Sequence, residues 1–168
     1  MREYAVDQLE AAFVREVMDA DICTVEPERG VAELYEALPE GSRERRQRLH
    51  PVLSARGALA GVLPWSRVLA NRAVAGLQVR DAMIDPVAVA YPDEILRPVA
   101  ERMAAHGLGA MPVVSRSDHH QLEGIITLFD LMQAREKLLT EERHAEKVLT
   151  LRRVAARRVT AGSGRAAR

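Results

Sequence analysis

The sequence predicts a mixed α/β (α+β) fold built from two copies of one β-α-β-β-α unit packed sheet to sheet, and three observations predict it. First, the chain repeats itself. Val14-Arg15-Glu16-Val17-Met18 answers Val79-Arg80-Asp81-Ala82-Met83, and Cys23-Thr24-Val25 answers Val87-Ala88-Val89. His50-Pro51-Val52-Leu53 answers Met111-Pro112-Val113-Val114, and Leu59-Ala60-Gly61-Val62-Leu63 answers Leu122-Glu123-Gly124-Ile125-Ile126. The matched positions keep their order and lie 61 to 65 residues apart, and an internal repeat decides the architecture ahead of any local reading. Second, each copy alternates short β-type runs with helical periodicity. Third, one copy alone is marginal for an independent core, whereas two packed together bury what neither can bury alone.

Each element has its own signal. Residues 1–13 read as a mixed polar leader with some helix, and the first copy runs over residues 14–72. In it, Val14 to Met18 is a short turn of helix and Ile22 to Val25 a brief strand closed by Glu26-Pro27. Val31, Leu34, Tyr35 and Leu38 recur at helical spacing until Pro39-Glu40-Gly41 stops them. Ser42 to Arg48 is a strongly basic loop. His50–Ser54 and Ala58–Leu63 are strands joined by a turn at Arg56-Gly57, and Trp65–Ala70 is a short helix. The second copy, residues 79–135, follows the same plan: a strand near Val87–Ala90, a helix from Asp93, strands at Ala110–Ser115 and Gln121–Thr127 around a polar loop, then a helix. Asp93 is expected to cap its helix, and Pro98 to kink or break it.

Beyond Asp130 no Gly or Pro interrupts the chain until Gly162, which predicts a long helix in a basic C-terminal extension over residues 136–168. Leu131, Leu138 and Ala145 fall seven apart on it. That stripe reads as packing on the helix's own domain, or as a face for a partner chain. The end from Ala161 reads as disordered.

Composition excludes several classes. Of 168 residues 48% are hydrophobic but only 4% aromatic, so Leu, Val, Ala and Ile must build the core. The net charge is zero, so no global field attracts nucleic acid. The basic side chains gather at the end, with seven Lys or Arg and no Asp or Glu from Lys147 onward. One cysteine, Cys23, rules out an internal disulfide or a multi-thiolate zinc site. No apolar run approaches the ~20 residues of a spanning helix, and no secretory signal pattern opens the chain. His106, His119, His120 and His144 lack metal-ligand spacing, and nothing resembles a catalytic triad or a P-loop. The chain therefore reads as a cytoplasmic, non-enzymatic binding protein without a metal, or as a cytoplasmic piece of a membrane protein.

The motif with chemistry in it is Gly124-Ile125-Ile126-Thr127-Leu128-Phe129-Asp130. Thr127 is read as opening a helix, with Asp130 one turn on and on the same face. Free amides there favour a phosphate, and the Asp130 carboxylate suits the two hydroxyls of a ribose. Thr-x-x-Asp is equally close to a capping box, in which both side chains satisfy backbone amides. In the first copy Pro64 and Arg67 replace Thr127 and Asp130. Proline suits a first helical turn, but neither residue accepts a hydrogen bond from a ribose through its side chain. One competent cleft at most is expected, the other being empty or holding another anion through Arg67.

The ordered set Val-x-x-x-Met, strand, amphipathic helix, x-Pro-Val-Val or x-Pro-Val-Leu, then Gly-h-h-Thr-x-x-Asp (h apolar), present twice over residues 14 to about 135, resembles the CBS domain. That resemblance implies two copies related by a pseudo-twofold axis, dimerisation of the pair into discs, and clefts that bind AMP, ADP or ATP. It also implies that Thr127 and Asp130 share their cleft with Ile125 packed on the adenine, the strand near Cys23 bordering it, and Gln47 and Arg48 approaching base or ribose. Arg43, Arg45 and Arg46 read either as reaching a polyphosphate or as a solvated loop. Ile126 to Arg135 and Glu141 to Leu149 look like the C-terminal end of bacterial ClC-type chloride channels and transporters, which implies a regulatory, adenine-nucleotide-sensing role on a membrane transport protein. A dimerisation module without a ligand, and a free-standing cytoplasmic regulator, are the competing readings.

Overall fold

The computed structural model describes residues 8–162. After a 3-10 turn at Gln8–Glu10, the elements are α1 (Val14–Val17), α2 (Val31–Ala37), α3 (Arg43–Arg46), β1 (Leu49–Leu53), β2 (Leu59–Pro64) and α4 (Trp65–Asn71). The second copy follows with α5 (Val79–Ala82), α6 (Leu96–His106), β3 (Ala110–Val114), β4 (Leu122–Thr127) and α7 (Leu128–Gly162).

Each copy contains one antiparallel hairpin. β1 pairs with β2 so that Val52 faces Gly61, and β3 pairs with β4 so that Val113 faces Gly124. Both ladders shift register at the next residue, Leu53 and Val114. The predicted third strands contract to one bridging residue each. Val25 donates to the Pro51 carbonyl and accepts from Leu53, while Ala90 donates to Pro112 and accepts from Val114. Pro27 and Pro92 follow within two residues and lack the amide hydrogen that a longer ladder needs.

Main-chain hydrogen bonds interleave the copies symmetrically. Val14 and Arg15 donate to Glu94 and Pro92, as Val79 and Arg80 donate to Arg29 and Pro27. Asp19 and Ile125 exchange both hydrogen bonds at 2.9 Å, and Ile84 and Val62 do the same at 2.8 and 2.9 Å. This pattern is the pseudo-twofold relation expressed in the backbone. The two glycines of the repeated Gly-h-h unit allow it. A Cβ on Gly124 would stand 2.6 Å from the Asp19 carbonyl oxygen, and one on Gly61 would stand 3.0 Å from that of Ile84.

The interleaving also exchanges core residues. Val25, Val31, Leu34, Val52, Leu63 and Val68 of the first copy close on Val79 and Ala82 from α5. Leu96, Val99, Met103, Met111, Val113 and Ile126 of the second close on Ala12 and Val14. Each short helix thus completes the interior of the copy it does not precede in sequence. His50, fully buried, stands where the second copy has Met111.

Several local expectations are corrected. Asp93 does not cap α6. The cap position is Ile95, and Asp93 instead forms a bidentate ion pair with Arg116. Pro98 neither kinks nor breaks α6, because the helix starts at Leu96 and Pro98 falls in its first turn, where an amide has no intrahelical partner to lose. The basic loop contains a turn of helix, α3, capped by the Ser42 hydroxyl accepting from the Arg45 amide at 3.1 Å. The own-domain reading of the last helix holds for its first part only. Leu131 and Ala134 are buried and Leu138 half-buried on their own domain, whereas the described side chains from Thr140 to Leu149 are exposed. The leader before Gln8 and the end beyond Gly162 lie outside the described residues.

Candidate functional site

The β4–α7 junction differs from expectation by one residue. Thr127 is the last residue of β4 and α7 begins at Leu128. One carboxylate oxygen of Asp130 accepts from the Thr127 amide and from its hydroxyl, both at 2.7 Å, while the Asp130 amide donates to the Thr127 hydroxyl at 3.2 Å. The capping arrangement is therefore formed. It leaves the other carboxylate oxygen of Asp130 without a hydrogen-bond partner among the described residues.

The same two residues line a cavity of about 940 Å3, with Ile125, Gln47 and Arg48, within the range of small-molecule sites. Asp19, Arg43, Arg46, Gly109 and the helix residues Leu128, Phe129 and Met132 complete it. Cys23 does not line it. Its main-chain N–H donates to the Gln47 side-chain oxygen at 2.9 Å, and its carbonyl accepts from the Gln47 amide nitrogen at 2.7 Å. A third hydrogen bond, from that nitrogen to the Leu49 carbonyl at 2.9 Å, commits the Gln47 head group to the backbone. Burial pushes the Cys23 thiol pKa up, helped by the nearby Glu44 carboxylate, so the thiol stays protonated and is a poor nucleophile.

The arginines of α3 and its flank separate into three roles. Arg43 is held by Asp19 at 2.7 Å and Asp21 at 2.6 Å, and these contacts raise its pKa. Arg45 turns away from the cavity, lying 4.4 Å from the centre of the Tyr35 ring and donating to the Leu38 carbonyl. Arg46 and Arg48 line the cavity and carry no side-chain hydrogen bond or ion pair among the described residues.

A second cavity of about 690 Å3 lies on the first copy's side, lined by Pro64, Trp65, Ser66, Leu69, Gly107, Leu108 and Ala110. Arg46, Gln47, Arg48 and Gly109 border both cavities. Arg67 is not in its lining and donates to the Ala82 carbonyl at 3.3 Å, so the anion expected through Arg67 has no support from this arrangement. No group of three or more His, Cys, Asp or Glu among the described residues is placed to hold a metal ion.

Sequence reasoning missed Asp19, Leu128, Phe129, Met132 and Gly109. Leu128, Phe129 and Met132 are 51%, 65% and 63% exposed, and apolar residues at i, i+1 and i+4 of a helix start carry no signal that separates a cavity wall from a core stripe. Gly109 carried a faint signal in Gly107-Leu108-Gly109, which places it beside the Leu128 amide that its carbonyl accepts from at 3.0 Å.

Residues 79–137 match the CBS domain family. The two-copy architecture is that of solved CBS domain pairs. One similar structure is the CBS domain pair of protein MJ0100 in complex with 5'-methylthioadenosine and S-adenosyl-L-methionine, at 20% identity and a TM-score of 0.61, covering 73% of this chain and 94% of that one. Another is the CBS domain of the bacterial CNNM/CorC family Mg2+ transporter, at 19% identity and 0.63, covering 76% and 77%. A third is the cytosolic domain of the Mg2+ channel MgtE in complex with ATP, at 24% and 0.60, covering 70% of this chain and 46% of that one. Comparison with the curated proteins finds no match. Among the described residues no helix is long and apolar enough to cross a membrane.

Proposed function

We propose that the chain is a regulatory module that binds one adenine nucleotide, AMP, ADP or ATP, in the cleft of Thr127 and Asp130. The observation that carries this reading is the convergence of Thr127, Asp130, Ile125, Gln47 and Arg48 on one cavity of about 940 Å3. Ile125 offers an apolar surface to the base. The free oxygen of Asp130 accepts from a ribose hydroxyl, and the cap keeps that carboxylate in place. Arginine supplies the phosphate contact. Cys23 acts at one remove, through the backbone segment that Gln47 anchors.

In this reading the module works as a homodimer at the cytoplasmic face of a membrane transport protein, and the likeness of residues 126–135 and 141–149 to ClC-type C-terminal ends favours a chloride channel or transporter. Solved relatives of the fold include parts of Mg2+ transport proteins, which supports the transporter association at the class level. Ligand acts by binding one arrangement of the module better than another.

Calorimetric titration with AMP, ADP and ATP tests the site. Binding of one nucleotide per chain that Asp130→Ala abolishes, in a protein that still melts cooperatively, is the expected outcome. Asp130→Asn retains an acceptor for the Thr127 amide and separates lost ligand contact from a lost cap. The second reading, a dimerisation module without a ligand, is favoured by the completed Thr127–Asp130 cap and by the exposed Leu128, Phe129 and Met132. A stable dimer with no heat from any of the three nucleotides would establish it.

A further inference from the structure

The two cavities are not independent, and their junction is asymmetric. Gly109 and Arg48 are counterparts across the pseudo-twofold axis. The Gly109 carbonyl accepts from the first residue of α7, Leu128, at 3.0 Å, and the Arg48 carbonyl accepts from the first residue of α4, Trp65, at 2.9 Å. Both border both cavities. One copy therefore brings a guanidinium to the junction where the other brings no side chain. A Cβ built on Gly109 meets nothing within 4 Å, so the passage is open at that point. Arg46 joins Arg48 there, and neither has a partner among the described residues. The second cavity has no carboxylate in its lining, whereas the first has Asp130 and Asp19, the latter neutralised by Arg43.

We infer that one ligand serves both cavities: a nucleoside polyphosphate with its ribose at Asp130 and its outer phosphates passing Gly109 toward the second cavity between Arg46 and Arg48. This inference rests on the nucleotide reading of the first cleft and adds the number of phosphates and the direction in which they run. The cleft that lost its Thr and Asp to Pro64 and Arg67 is then not idle. It lacks a side-chain ribose acceptor, and it lacks acidic side chains that would repel an anion. Guanidinium groups are suited to phosphate oxygens by charge and by paired donors. Two unpaired arginines at a junction favour a chain of phosphates over a single one.

The test is titration of the full chain with ATP, ADP, AMP and inorganic tripolyphosphate at fixed ionic strength. The wild type is compared with an Arg46→Ala/Arg48→Ala double variant and with Gly109→Leu. All three positions are exposed, and cooperative melting verifies each fold. ATP is expected to bind at one per chain and more tightly than AMP by about tenfold or more, the size of one charge-assisted contact. Removing the arginines, or filling the junction with leucine, should weaken ATP by more than it weakens AMP and so abolish the preference for ATP. Trp65 is the single tryptophan and lines the second cavity, so its fluorescence should respond to ATP and tripolyphosphate and not to AMP. Equal affinity for AMP and ATP in the wild type, a preference that survives both variants, or two nucleotides per chain would overturn this inference and leave the nucleotide reading standing. Failure of all three nucleotides to bind would overturn both.

Discussion

Gly124 is where the smallest change should have the largest effect. Its missing Cβ leaves room for the Asp19 carbonyl, and main chain cannot swing aside as a side chain can. Gly124→Ala should destabilise by about 1–3 kcal/mol, the usual cost of overpacking. Gly61→Ala should cost less, because its contacts are longer and one of them is the flexible Met83 side chain. Denaturant unfolding of the two variants gives the comparison directly. His50 makes a second prediction at this scale. Its Nε2 donates to the Glu44 carbonyl at 3.0 Å, while its Nδ1 is buried without a partner. Burial lowers its pKa from the ordinary 6.5. The unfolded chain therefore takes up this proton at a higher pH than the folded one, and stability falls as pH drops below that value, by at most about 1.4 kcal/mol per pH unit. His50→Met, copying Met111, should remove this component from melts run between pH 7 and 5. Both residues were visible in the sequence as members of the repeat. The alignment of Gly61 with Gly124 could be read without coordinates, but the carbonyl each accommodates could not, because it comes from the other copy.

The long helix α7 divides into a docked part and a free part. Its last buried described side chain is Ala134 and the stripe continues only to the half-buried Leu138 and Leu139. Removing residues from Thr140 onward should leave the melting temperature within a few degrees of the full chain, since little apolar surface is re-exposed. A larger drop would mean that the arm packs on a partner copy. At the opposite end of the second copy, α6 is tied to the segment around Ala90 by Arg102, which holds both carboxylate oxygens of Glu94 and the Val89 carbonyl. Glu94→Ala leaves that half-buried guanidinium short of partners and should cost about 1–3 kcal/mol. Element positions were largely legible because hydrophobic period and turn residues are local signals. The misreadings were at boundaries. Asp93 had the composition of a cap, yet a long-range partner, Arg116, took its carboxylate. Pro98 looked interior only because the start of α6 was placed three residues early.

At the scale of the molecule, the two copies are one folding unit. The first copy's core lacks Val79 and Ala82 unless the chain reaches them, and the second lacks Ala12 and Val14 without the beginning. Residues 1–75 expressed alone should show no cooperative melt, and neither should residues 79–168, whereas the whole chain should unfold in a single transition. Two separated transitions would contradict the shared cores. The candidate site has the same character. Its motif, Thr127 to Asp130, was plain in the sequence because it is contiguous. Arg46, Arg48 and Gly109 come together from different copies, and the repeat alone does not tell which guanidinium is free and which, like Arg43, is already engaged.

The exchange of short helices has a consequence for the order of events during synthesis. A nascent chain emerging from the ribosome presents Leu34, Val52 and Leu63 before α5 appears, and until then they have no α5 to close on. The first half must wait, partly open, for a segment that belongs by position to the second. Holding the nascent chain with Val79 still inside the exit tunnel should prolong exposure to chaperones, and holding it with Met83 already outside should not. The nascent chain has a commitment point inside its own repeat boundary.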